Sequence, residues 1–467
     1  MYRFRKIEHL LGQFQELEKQ EIYFASPEEL NDPIEGFRDI FWIGDIIVWK
    51  NFVKNYVRSV IHAFSYMIVT SNKMTNADIL ISLRQTSADA PLFANLKNEC
   101  TEKSLSIEFI NGLLTALSKR IKPIRRNELL YYLQAIQPLI IETIQEIYHK
   151  NGLLSKKPFP LDIQEYKKHL KEFSKNIEDE QAREDKNNQE NNDELFFFTM
   201  NILGQQMQLM RKYELQDYDL HSNQIFVYSE FPENYISKLE TLLYPDWYAA
   251  SFIKECTNST IWAHYGQNHT GVCLKFKTIN DNDSIQIKLS NIGGNESSKH
   301  MYNFHEISYN NKHSEIDFFR SLGRDSVLLL KHEWYNDENG NLSNCGKHLE
   351  GDLNEWRKDY WDNFIKGNTI KIKEWENEEE YRLVINGGFY DYSISDNRKL
   401  RYDFNDLEAI IFGIKTTLVD KIKILKIIEN KCKECGRKEF DFYQAYYSVT
   451  RGKIETYKLN LIKLNTN

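Results

Sequence analysis

Glycine and proline are scarce in this chain, with 20 glycines and 9 prolines among 467 residues. That share is roughly half of the one in an average globular protein. Collagen-like and glycine- or proline-rich low-complexity classes are therefore excluded, and an aromatic content of 13% excludes a wholly disordered chain. The glycine-rich phosphate loops GxGxxG and GxxxxGKS/T are also missing, which argues against Rossmann and P-loop nucleotide sites.

Long apolar runs and multiple CxxC pairs are missing as well. No stretch of about 18 apolar residues occurs, and the first five residues lack the apolar core of a signal peptide. Only Cys432 and Cys435 form a CxxC pair, whereas a zinc site usually needs two such pairs. We therefore expect a cytoplasmic protein without membrane contact and with incidental reduced thiols. A metal or redox role for the CxxC pair is the alternative.

Positive charge is not in excess either. Lys and Arg number 60 against 68 Asp and Glu, which gives a net charge of −8 and a pI near 5.9. This balance argues against a general polyanion binder, although a local basic groove stays open. Aromatic residues, by contrast, are abundant: the 27 Tyr, 27 Phe and 8 Trp supply material for burial and for stacking.

The pattern of apolar residues divides the chain. Residues 45–220 carry apolar residues at helical spacing, whereas residues 1–44 and 221–467 alternate short strands with helices. Residues 174–194 contain almost nothing apolar and predict a mobile polar loop. We therefore predict an α+β core from 1–44 and 221–467, with a helical insertion at 45–220. Strands are predicted at 224–229, 247–253, 272–276, 284–289, 379–385 and 409–412.

Two glutamates near the end of the core are spaced for joint action. Glu378 and Glu380 are two residues apart, which on a strand places both carboxylates on one face. Neighbouring carboxylates repel, so one should have a raised pKa unless a cation intervenes. Arg382 lies on the same face and could provide that cation. The alternative is a solvated acidic edge strand with Arg382 as its partner.

An aromatic cluster precedes them in the chain. Trp262, His264 and Tyr265 lie within one helical turn, and three rings with polar tips can line a cleft and stack on a flat ligand. The alternative is a helix whose Trp and Tyr enter the core, with His264 merely hydrogen-bonded.

The first forty residues hold two further candidates. Arg3 and Arg5 open a predicted strand; they are either surface charges or, if Arg3 is buried, a bidentate partner for phosphate. Ser26-Pro27-Glu28-Glu29 predicts a helix start, since Ser caps and Pro suits the first turn. Asn31-Asp32-Pro33 is most simply a turn.

Taken in order, these segments resemble a bacterial family known as domain of unknown function 2971. Its members look like Tyr-Arg-aromatic-Arg at the start, then Ser-Pro and Asn-Asp-Pro, a Ser-Phe strand, Trp-x-His-Tyr with His-x-Gly, and Trp-x-x-Glu-x-Glu-x-Arg. The resemblance covers roughly residues 1–40 and 220–450. The corresponding residues here are Tyr2 to Arg5, Ser26 to Pro33, Ser251-Phe252, Trp262 to Gly271, and Trp375 to Arg382.

That family in turn resembles the ADP-ribosyltransferase fold, which has a split mixed and antiparallel sheet. Arginine-type members place an Arg on the first strand, a Ser on a central strand and Glu-x-Glu on a later strand. Arg3, Ser251 and Glu378-x-Glu380 follow this order. The usual Ser-Thr-Ser reads Ser251-Phe252-Ile253 here, so only its first serine is kept.

The resemblance implies a site that takes NAD as substrate. Cleavage of the nicotinamide–ribose bond passes through an oxocarbenium-like cation, which a fixed carboxylate stabilises. Glu380 is implied in that role, and Glu378 would orient or deprotonate the acceptor. Arg3 would bind an NAD phosphate or ribose, with Ser251 hydrogen-bonding nearby. The residues implied to bind NAD are Tyr2, Asn31, Asp32, Trp262, His264, Tyr265 and Arg382.

Several functions stay open at this point. The leading hypothesis is an NAD-dependent ADP-ribosyltransferase-like enzyme, such as a toxin or anti-phage effector, that modifies a protein or a nucleic acid. An NAD glycohydrolase would use water as the acceptor instead. A non-catalytic module could sense a nucleotide in the same cleft, with a protein partner on the helical region. A metal-dependent nuclease would need Asp32, Glu35 and the late glutamates as ligands.

Overall fold

The described part of the chain forms two units. A computed structural model describes every residue except 33, 71, 82–90, 160–161, 163–164, 167, 169, 171–189, 215–217, 282–283, 292–298, 311–312, 388–390 and 466–467. The first unit comprises Met1–Arg38, Pro245–Ser314 and Asn363–Asn467, and the second comprises Asp39–Tyr244 and Glu315–Asp362. Residues 315–362, which the sequence pattern had assigned to the α+β core, thus group with the helical segment. The polar loop predicted at 174–194 lies outside the described residues up to residue 189, and so does Pro33. Residues 190–194 begin a helix instead, so that end of the prediction is wrong.

Strands and helices alternate along the described residues. The strands are β1 (Tyr2–Arg5), β2 (Glu21–Tyr23), β3 (Asp39–Phe41), β4 (Trp247–Ile253), β5 (Val272–Phe276), β6 (Ile279–Asp281), β7 (Ser284–Asn291), β8 (Lys299–Glu306), β9 (Ser308–Tyr309), β10 (Glu315–Asp317), β11 (Ile370–Lys371), β12 (Glu380–Asn386), β13 (Lys399–Tyr402), β14 (Leu407–Phe412), β15 (Asp441–Ser448) and β16 (Lys453–Lys458). The helices are α1 (Ile7–Leu11), α2 (Glu16–Lys19), α3 (Ile46–Val69), α4 (Pro91–Leu105), α5 (Glu108–Lys119), α6 (Arg126–Lys150), α7 (Glu190–Glu214), α8 (Tyr218–Ile225), α9 (Phe231–Leu243), α10 (Ser259–His264), α11 (Phe318–Ser321), α12 (Val327–Leu330), α13 (Leu353–Asn368) and α14 (Leu418–Cys435).

A large mixed sheet organises the first unit. Its strand order is β16-β15-β14-β5-β1-β4-β12-β8-β7-β13-β2, with β6 paired to β7. Only the β14–β15 pair among these described strands is parallel, and the other neighbours are antiparallel. The prediction of a mixed, mainly antiparallel sheet accompanied by many helices is confirmed. Five of the six predicted strands are found as β4, β5, β7, β12 and β14.

The two faces of this sheet bury different residues, as the period of two along a strand requires. One face contributes Phe252, Leu274 and Ile410 to the larger hydrophobic core. A directly adjacent residue of each strand contributes Ile253, Cys273 and Ile411 to a smaller core on the other face, where Phe4 and Trp262 also pack. β4, β5 and β14 are therefore buried on both sides, which explains their nearly continuous apolar sequences.

The sheet opens between β1 and β4. β1 pairs along its whole length with β5, from Tyr2 opposite Lys275 to Arg5 opposite Val272. With β4 it shares only the pair Tyr2–Ile253. Further along β4, Ala249 bridges to Ala25 instead. β1 therefore diverges from β4, and the gap between the two strands is where a cleft opens in the first unit.

Long apolar helices form the core of the second unit. α3 and α6 are buried over much of their length, and Tyr56 of α3 donates to Gln137 of α6 at 2.6 Å. The helical spacing predicted within residues 45–220 is confirmed here by α5 and α6, with Pro138 inside α6. α7 lies against α6 through Phe197 and Asn201, and its outer surface exposes apolar side chains. The most exposed of these are Leu195, Phe198, Met207, Leu209, Met210 and Tyr213.

The strand predicted at 224–229 is wrong. Residues 218–243 instead run as successive helical turns, with a π-helical segment at Phe226–Glu230 between α8 and α9. Val227 is buried and its carbonyl accepts a hydrogen bond from Gln137 at 2.6 Å. Packing against α6 thus outweighs the strand propensity of the Ile-Phe-Val-Tyr run, because strand propensity mainly reflects burial on a pleated surface. No helix in the described residues is long and apolar enough to span a bilayer.

Candidate functional site

A cleft of about 600 Å³ lies in the first unit where β1 leaves β4. This volume is typical of small-molecule and cofactor sites, which run from roughly 300 to 1,000 Å³. β1, β4 and β12 contribute side chains to its lining, together with the segments that follow β2 and precede β12. The residues on which the following argument depends are Arg3, Tyr23, Asn31, Glu35, Ser251, Tyr265, Lys371, Glu380 and Arg382.

Glu380 opens β12 and is buried at the cleft. Arg382, two residues later on the same face, donates from Nε to Oε1 at 3.0 Å and from Nη2 to Oε2 at 2.9 Å. This bidentate pairing is the strong form of an Arg–carboxylate contact. Ser251 lies opposite Arg382 on β4, and its hydroxyl also hydrogen-bonds Glu380. The cation predicted from the i, i+2 spacing is therefore present.

Lys371 is the second cation at Glu380. Its Nζ lies 2.7 Å from Glu378 Oε2, 3.4 Å from Glu380 Oε2 and 3.6 Å from Glu35 Oε1. Arg382 also donates to Glu35 through Nη2. The acidic cluster of Glu35, Glu378, Glu380, Lys371 and Arg382 thus has three carboxylates against two cations. Its side chains are between 1% and 8% exposed.

The backbone brings Glu378 into this cluster by a turn rather than by a strand. Glu378 ends a 3-10 helix, Lys373–Glu378, and β12 begins only at Glu380. Glu379, between them, has a left-handed φ of 47° and points to solvent. The prediction that both glutamates share one strand face is therefore wrong, although both carboxylates contact Lys371. Tyr265 completes the Glu378 site by donating from its hydroxyl to Oε1 at 2.7 Å.

Glu35 enters the cluster from a tight turn after Asn31-Asp32. The Glu35 amide donates to the Asp32 carbonyl at 3.1 Å, and the next residue, Gly36, has a φ of 77°. A Cβ at Gly36 would lie 2.8 Å from the ring of Trp247, so glycine is required at this position. The turn thereby fixes the Glu35 carboxylate against Arg382.

Burial and charge act in opposite directions on the acidic cluster. Burial raises the pKa of Glu35, and this effect outweighs the opposing influence of Arg382 and Lys371. At Glu380 burial also acts to raise the pKa, but Arg382, Lys371 and the Ser251 hydrogen bond lower it below its ordinary value. The carboxylates keep the pKa of Lys371 above its ordinary value despite its burial. Glu380 therefore stays ionised, and Glu35 is the group that takes up a proton more readily.

Arg3 supplies an uncommitted cation to the same cleft. Its side chain is buried, its Nη2 donates to the Tyr23 carbonyl at 2.9 Å, and its guanidinium lies 5.2 Å from the centre of the Phe252 ring. Its Nη1 has no hydrogen-bond partner among the described atoms. Burial and the charge of Arg5 lower the pKa of Arg3 to about 9, so the guanidinium remains charged at neutral pH. A buried cation with a free donor is suited to an anionic ligand.

The neighbouring charges on this side are already paired. Arg5 donates from Nε to Glu16 at 2.6 Å, and its Nη2 lies 3.1 Å from His9 Nδ1. At the cleft rim, Tyr23 and Arg398 both donate to Glu29, at 2.9 Å each. Of the described arginines that line the cleft, Arg3 is the one with an unsatisfied donor; Arg398, whose Nε also lacks a partner, is not among the lining residues.

The structure brings some of the expected NAD-binding residues to the cleft and not others. Tyr265, Arg382 and Asn31 line it, and the Asn31 side chain hydrogen-bonds Tyr265. Asp32 does not line it. Its Oδ1 instead accepts the Ile34 amide at 3.1 Å, which is the turn role considered as the alternative.

The expectation that Trp262 and His264 line the cleft is wrong, and Tyr2, which the resemblance implies as an NAD-binding residue, does not line it either. Trp262 is wholly buried, stacks edge-on against Phe4 at 4.8 Å and donates from Nε1 to the Cys256 carbonyl at 2.8 Å. Tyr2 packs on the same core, and His264 is exposed at the end of α10. Helical spacing groups the residues of one turn but does not say which of them enters the core. Here the larger apolar ring, that of Trp262, enters it.

Two functional candidates were not assigned by the sequence. Lys371 was given no role, and Glu35 was considered only as a ligand of a hypothetical metal. Their signal was weak because Lys371 reaches Glu380 from nine residues before it and Glu35 reaches Arg382 from 347 residues before it, neither of which is a periodic spacing. Tyr309 is a third, since its hydroxyl accepts the Glu380 amide at 2.8 Å.

Residues 261–383 match the model of a family described as a protein of unknown function, DUF2971. The matched segment contains Tyr265, Lys371, Glu378, Glu380 and Arg382 and supports the resemblance to that family over this part of the chain. Neither the curated proteins nor the solved structures gave a match. In the part of the chain that the structure describes, no group of three His, Cys, Asp or Glu residues could hold a metal ion.

Proposed function

We propose that the cleft binds NAD and cleaves its nicotinamide–ribose bond, transferring ADP-ribose to an acceptor on a protein or nucleic acid. One observation carries the proposal: a buried arginine with a free donor, Arg3, and an ionised, rigidly held glutamate, Glu380, line a single cleft of cofactor size. NAD carries phosphates that need a cation and a ribose that becomes cationic when nicotinamide leaves.

The chemistry assigns distinct tasks to these groups. The bond between the ribose C1′ and the nicotinamide nitrogen breaks with its electron pair going to nicotinamide, which leaves as a neutral ring. The ribosyl cation that forms is stabilised by the Glu380 carboxylate, because preorganised charge is most effective in a site shielded from water. The free Nη1 of Arg3 would bind a phosphate oxygen, and Ser251 would orient Glu380.

The acceptor half of the reaction falls to Glu378. An acceptor oxygen or nitrogen attacks the ribosyl C1′, and its proton passes to the Glu378 carboxylate as general base. Tyr265 donates to Glu378 and lines the cleft, so it is an aromatic residue available to face the nicotinamide ring. Trp262, which lies in the core, has no part in this assignment.

Nicotinamide release from NAD by the purified full chain tests the proposal. We expect release that depends on an acceptor supplied by cell lysate, and labelled ADP-ribose on that acceptor. Glu380→Gln should abolish release in a protein that still folds, which a measurable thermal unfolding midpoint would show. Glu379→Gln is the matched control, because this neighbouring side chain is exposed and should leave release unchanged.

The outcomes separate the rival functions. Release that yields only free ADP-ribose would mean that water is the acceptor, as in a glycohydrolase. Binding of NAD without release would leave a nucleotide-sensing module. Neither binding nor release, with or without lysate, would overturn the proposal.

A further inference from the structure

We propose that Lys371 is a positioning residue whose ammonium group ties Glu378 and Glu380 together, so that both carboxylates stay charged side by side. The inference rests on the proposed function, which gives these two glutamates separate tasks. Lys371 would act through them and would not touch NAD itself.

The geometry of the ammonium group is the first support. An ammonium has three donors, and here three carboxylates surround it: Glu378 at 2.7 Å, Glu380 at 3.4 Å and Glu35 at 3.6 Å. The Lys371 side chain is only 2% exposed, so water does little to screen these contacts. A buried lysine with no carboxylate would lose its charge, whereas this one is held charged by its surroundings.

The fold also fixes Lys371 in place. It lies on β11, which pairs with β9 so that Lys371 stands opposite Tyr309. Its carbonyl accepts the Asn310 amide at 2.9 Å. Its ammonium lies 4.7 Å from the centre of the Trp375 ring, a cation–π contact that covers one side of the charge. The remaining side faces the carboxylates.

Arg382 cannot replace Lys371 at Glu378. The guanidinium contacts Glu380 and Glu35, and its third contact is with the Asn368 carbonyl. Among the described contacts, Lys371 is the cation at Glu378, and the other partner of that carboxylate is the neutral Tyr265 hydroxyl. Without Lys371, the carboxylates of Glu378 and Glu380 would lie close together in a buried site with only one of them paired, and one would take up a proton.

Removal of Lys371 should therefore change how stability and nicotinamide release depend on pH. The ionisable groups that face this site from the packed elements are Glu35, Glu378, Glu380, Lys371, Arg382, Tyr265, Tyr309, Arg3 of the same cleft, and His305, which stands opposite Arg382 on β8. The two tyrosines have raised pKa values because of burial and stay neutral below pH 9. Burial lowers the pKa of His305, which titrates in the wild type and in the variant alike, so the carboxylates are the groups whose protonation changes when Lys371 is removed.

The test compares Lys371→Met with the wild type across pH 5–9. In the variant one carboxyl should have a raised pKa, so stability is kept at low pH and lost as pH rises through that value. We expect the deficit in thermal unfolding midpoint to grow from pH 5 to pH 8. Nicotinamide release at pH 7 should fall roughly tenfold, the fraction left ionised when a pKa lies about one unit above ambient pH, and should recover partly as pH rises.

Matched variants separate charge from packing. Lys371→Arg should restore much of the release, and Lys366→Met, at an exposed lysine, should match the wild type at every pH. If Lys371→Met alone does not fold, Lys371→Met combined with Glu378→Gln removes both members of the pair and should fold. Failure of this double variant to fold, or a deficit in unfolding midpoint that is the same at all pH values, would overturn the inference. A wild type without nicotinamide release would overturn the proposed function, but the unfolding profile would still decide the role of Lys371.

Discussion

Arg382 holds Glu380 by two parallel hydrogen bonds, Nε to Oε1 at 3.0 Å and Nη2 to Oε2 at 2.9 Å. The same guanidinium donates to Glu35, from the turn after β2, and to the carbonyl of Asn368, at the end of α13, at 3.1 Å. One buried side chain thus joins β12 to the end of α13, 14 residues before Arg382, and to the turn after β2, 347 residues before it. Its removal should affect the fold and the site together.

Arg382→Met is expected to lower the free energy of unfolding of the chain by about 3–5 kcal/mol, the usual loss when one partner of a buried ion pair is removed. The reason is that Glu35 and Glu380 would remain buried with Lys371 as their only nearby cation among the described contacts. Urea unfolding at pH 7 measures the change. Arg451→Met is the control, because Arg451 is 69% exposed and pairs with Glu455 at the surface. Equal losses in the two variants would contradict the central role of Arg382.

The sequence predicted the local part of this arrangement well. Glu380 and Arg382 lie two apart on one strand, and the period of two placed them on one face. The same rule failed for Glu378, because the left-handed backbone at Glu379 ends the preceding 3-10 helix before β12 begins. A change of backbone conformation over one residue has no periodic signature and was therefore not predictable.

The remaining contacts depend on the topology of the sheet. Glu35 and Lys371 are separated by more than 300 residues, and they meet only because β4 pairs with β12 while the segment after β2 bridges to β4. Such pairing over a long range cannot be read from spacing. The burial of Trp262 is similar, since the core it enters is formed by β1, β5 and β14.

Glu35→Gln and Glu380→Gln are expected to respond to pH in opposite directions. The pKa of Glu380 is lowered, so its carboxylate contributes stability above its ordinary pKa that is lost as pH falls. The destabilisation caused by Glu380→Gln should therefore be largest at neutral pH and shrink below about pH 5. The pKa of Glu35 is raised, so the wild type loses stability at this residue as pH rises. The stability of Glu35→Gln relative to the wild type should therefore increase from pH 5 to pH 8.

Urea midpoints of these two variants and the wild type, measured from pH 4 to 8, decide this prediction. The informative quantity is the slope of each difference with pH, because the loss of hydrogen bonds to Arg382 adds an offset that does not depend on pH. Slopes of the same sign would show that Glu35 is not the carboxylate of the acidic cluster that takes up a proton most readily.

Trp262→Ala and Tyr265→Phe should distinguish a residue of the hydrophobic core from a residue of the cleft. Trp262 is wholly buried, so its truncation should cost about 3–5 kcal/mol of unfolding free energy. NAD binding by the folded fraction should stay unchanged. Tyr265→Phe removes only the hydroxyl that donates to Glu378 and should cost about 1–2 kcal/mol while reducing nicotinamide release. Urea unfolding and isothermal titration with NAD measure both effects, and a weaker NAD affinity in the Trp262 variant alone would contradict the assignment.

Arg3→Gln should separate ligand binding from stability. The Arg3 guanidinium is buried, has a free Nη1 and has a pKa lowered to about 9, so keeping it charged at neutral pH costs the folded state free energy. The variant should therefore be at least as stable as the wild type near pH 7. Its affinity for NAD should fall by roughly 10- to 100-fold, because a hydrogen bond to a charged group contributes about 1.5–3 kcal/mol.

Titration calorimetry with NAD and with ADP-ribose measures this loss, and thermal unfolding of the same samples measures stability. Both ligands carry the diphosphate and should lose affinity equally, whereas nicotinamide alone should bind both proteins alike. Arg451→Gln, on the β15–β16 hairpin, is the control for a general loss of positive charge. Unchanged affinity together with lower stability would mean that Arg3 supports the fold through Tyr23 and Phe252 and leaves the phosphate to another cation of the cleft.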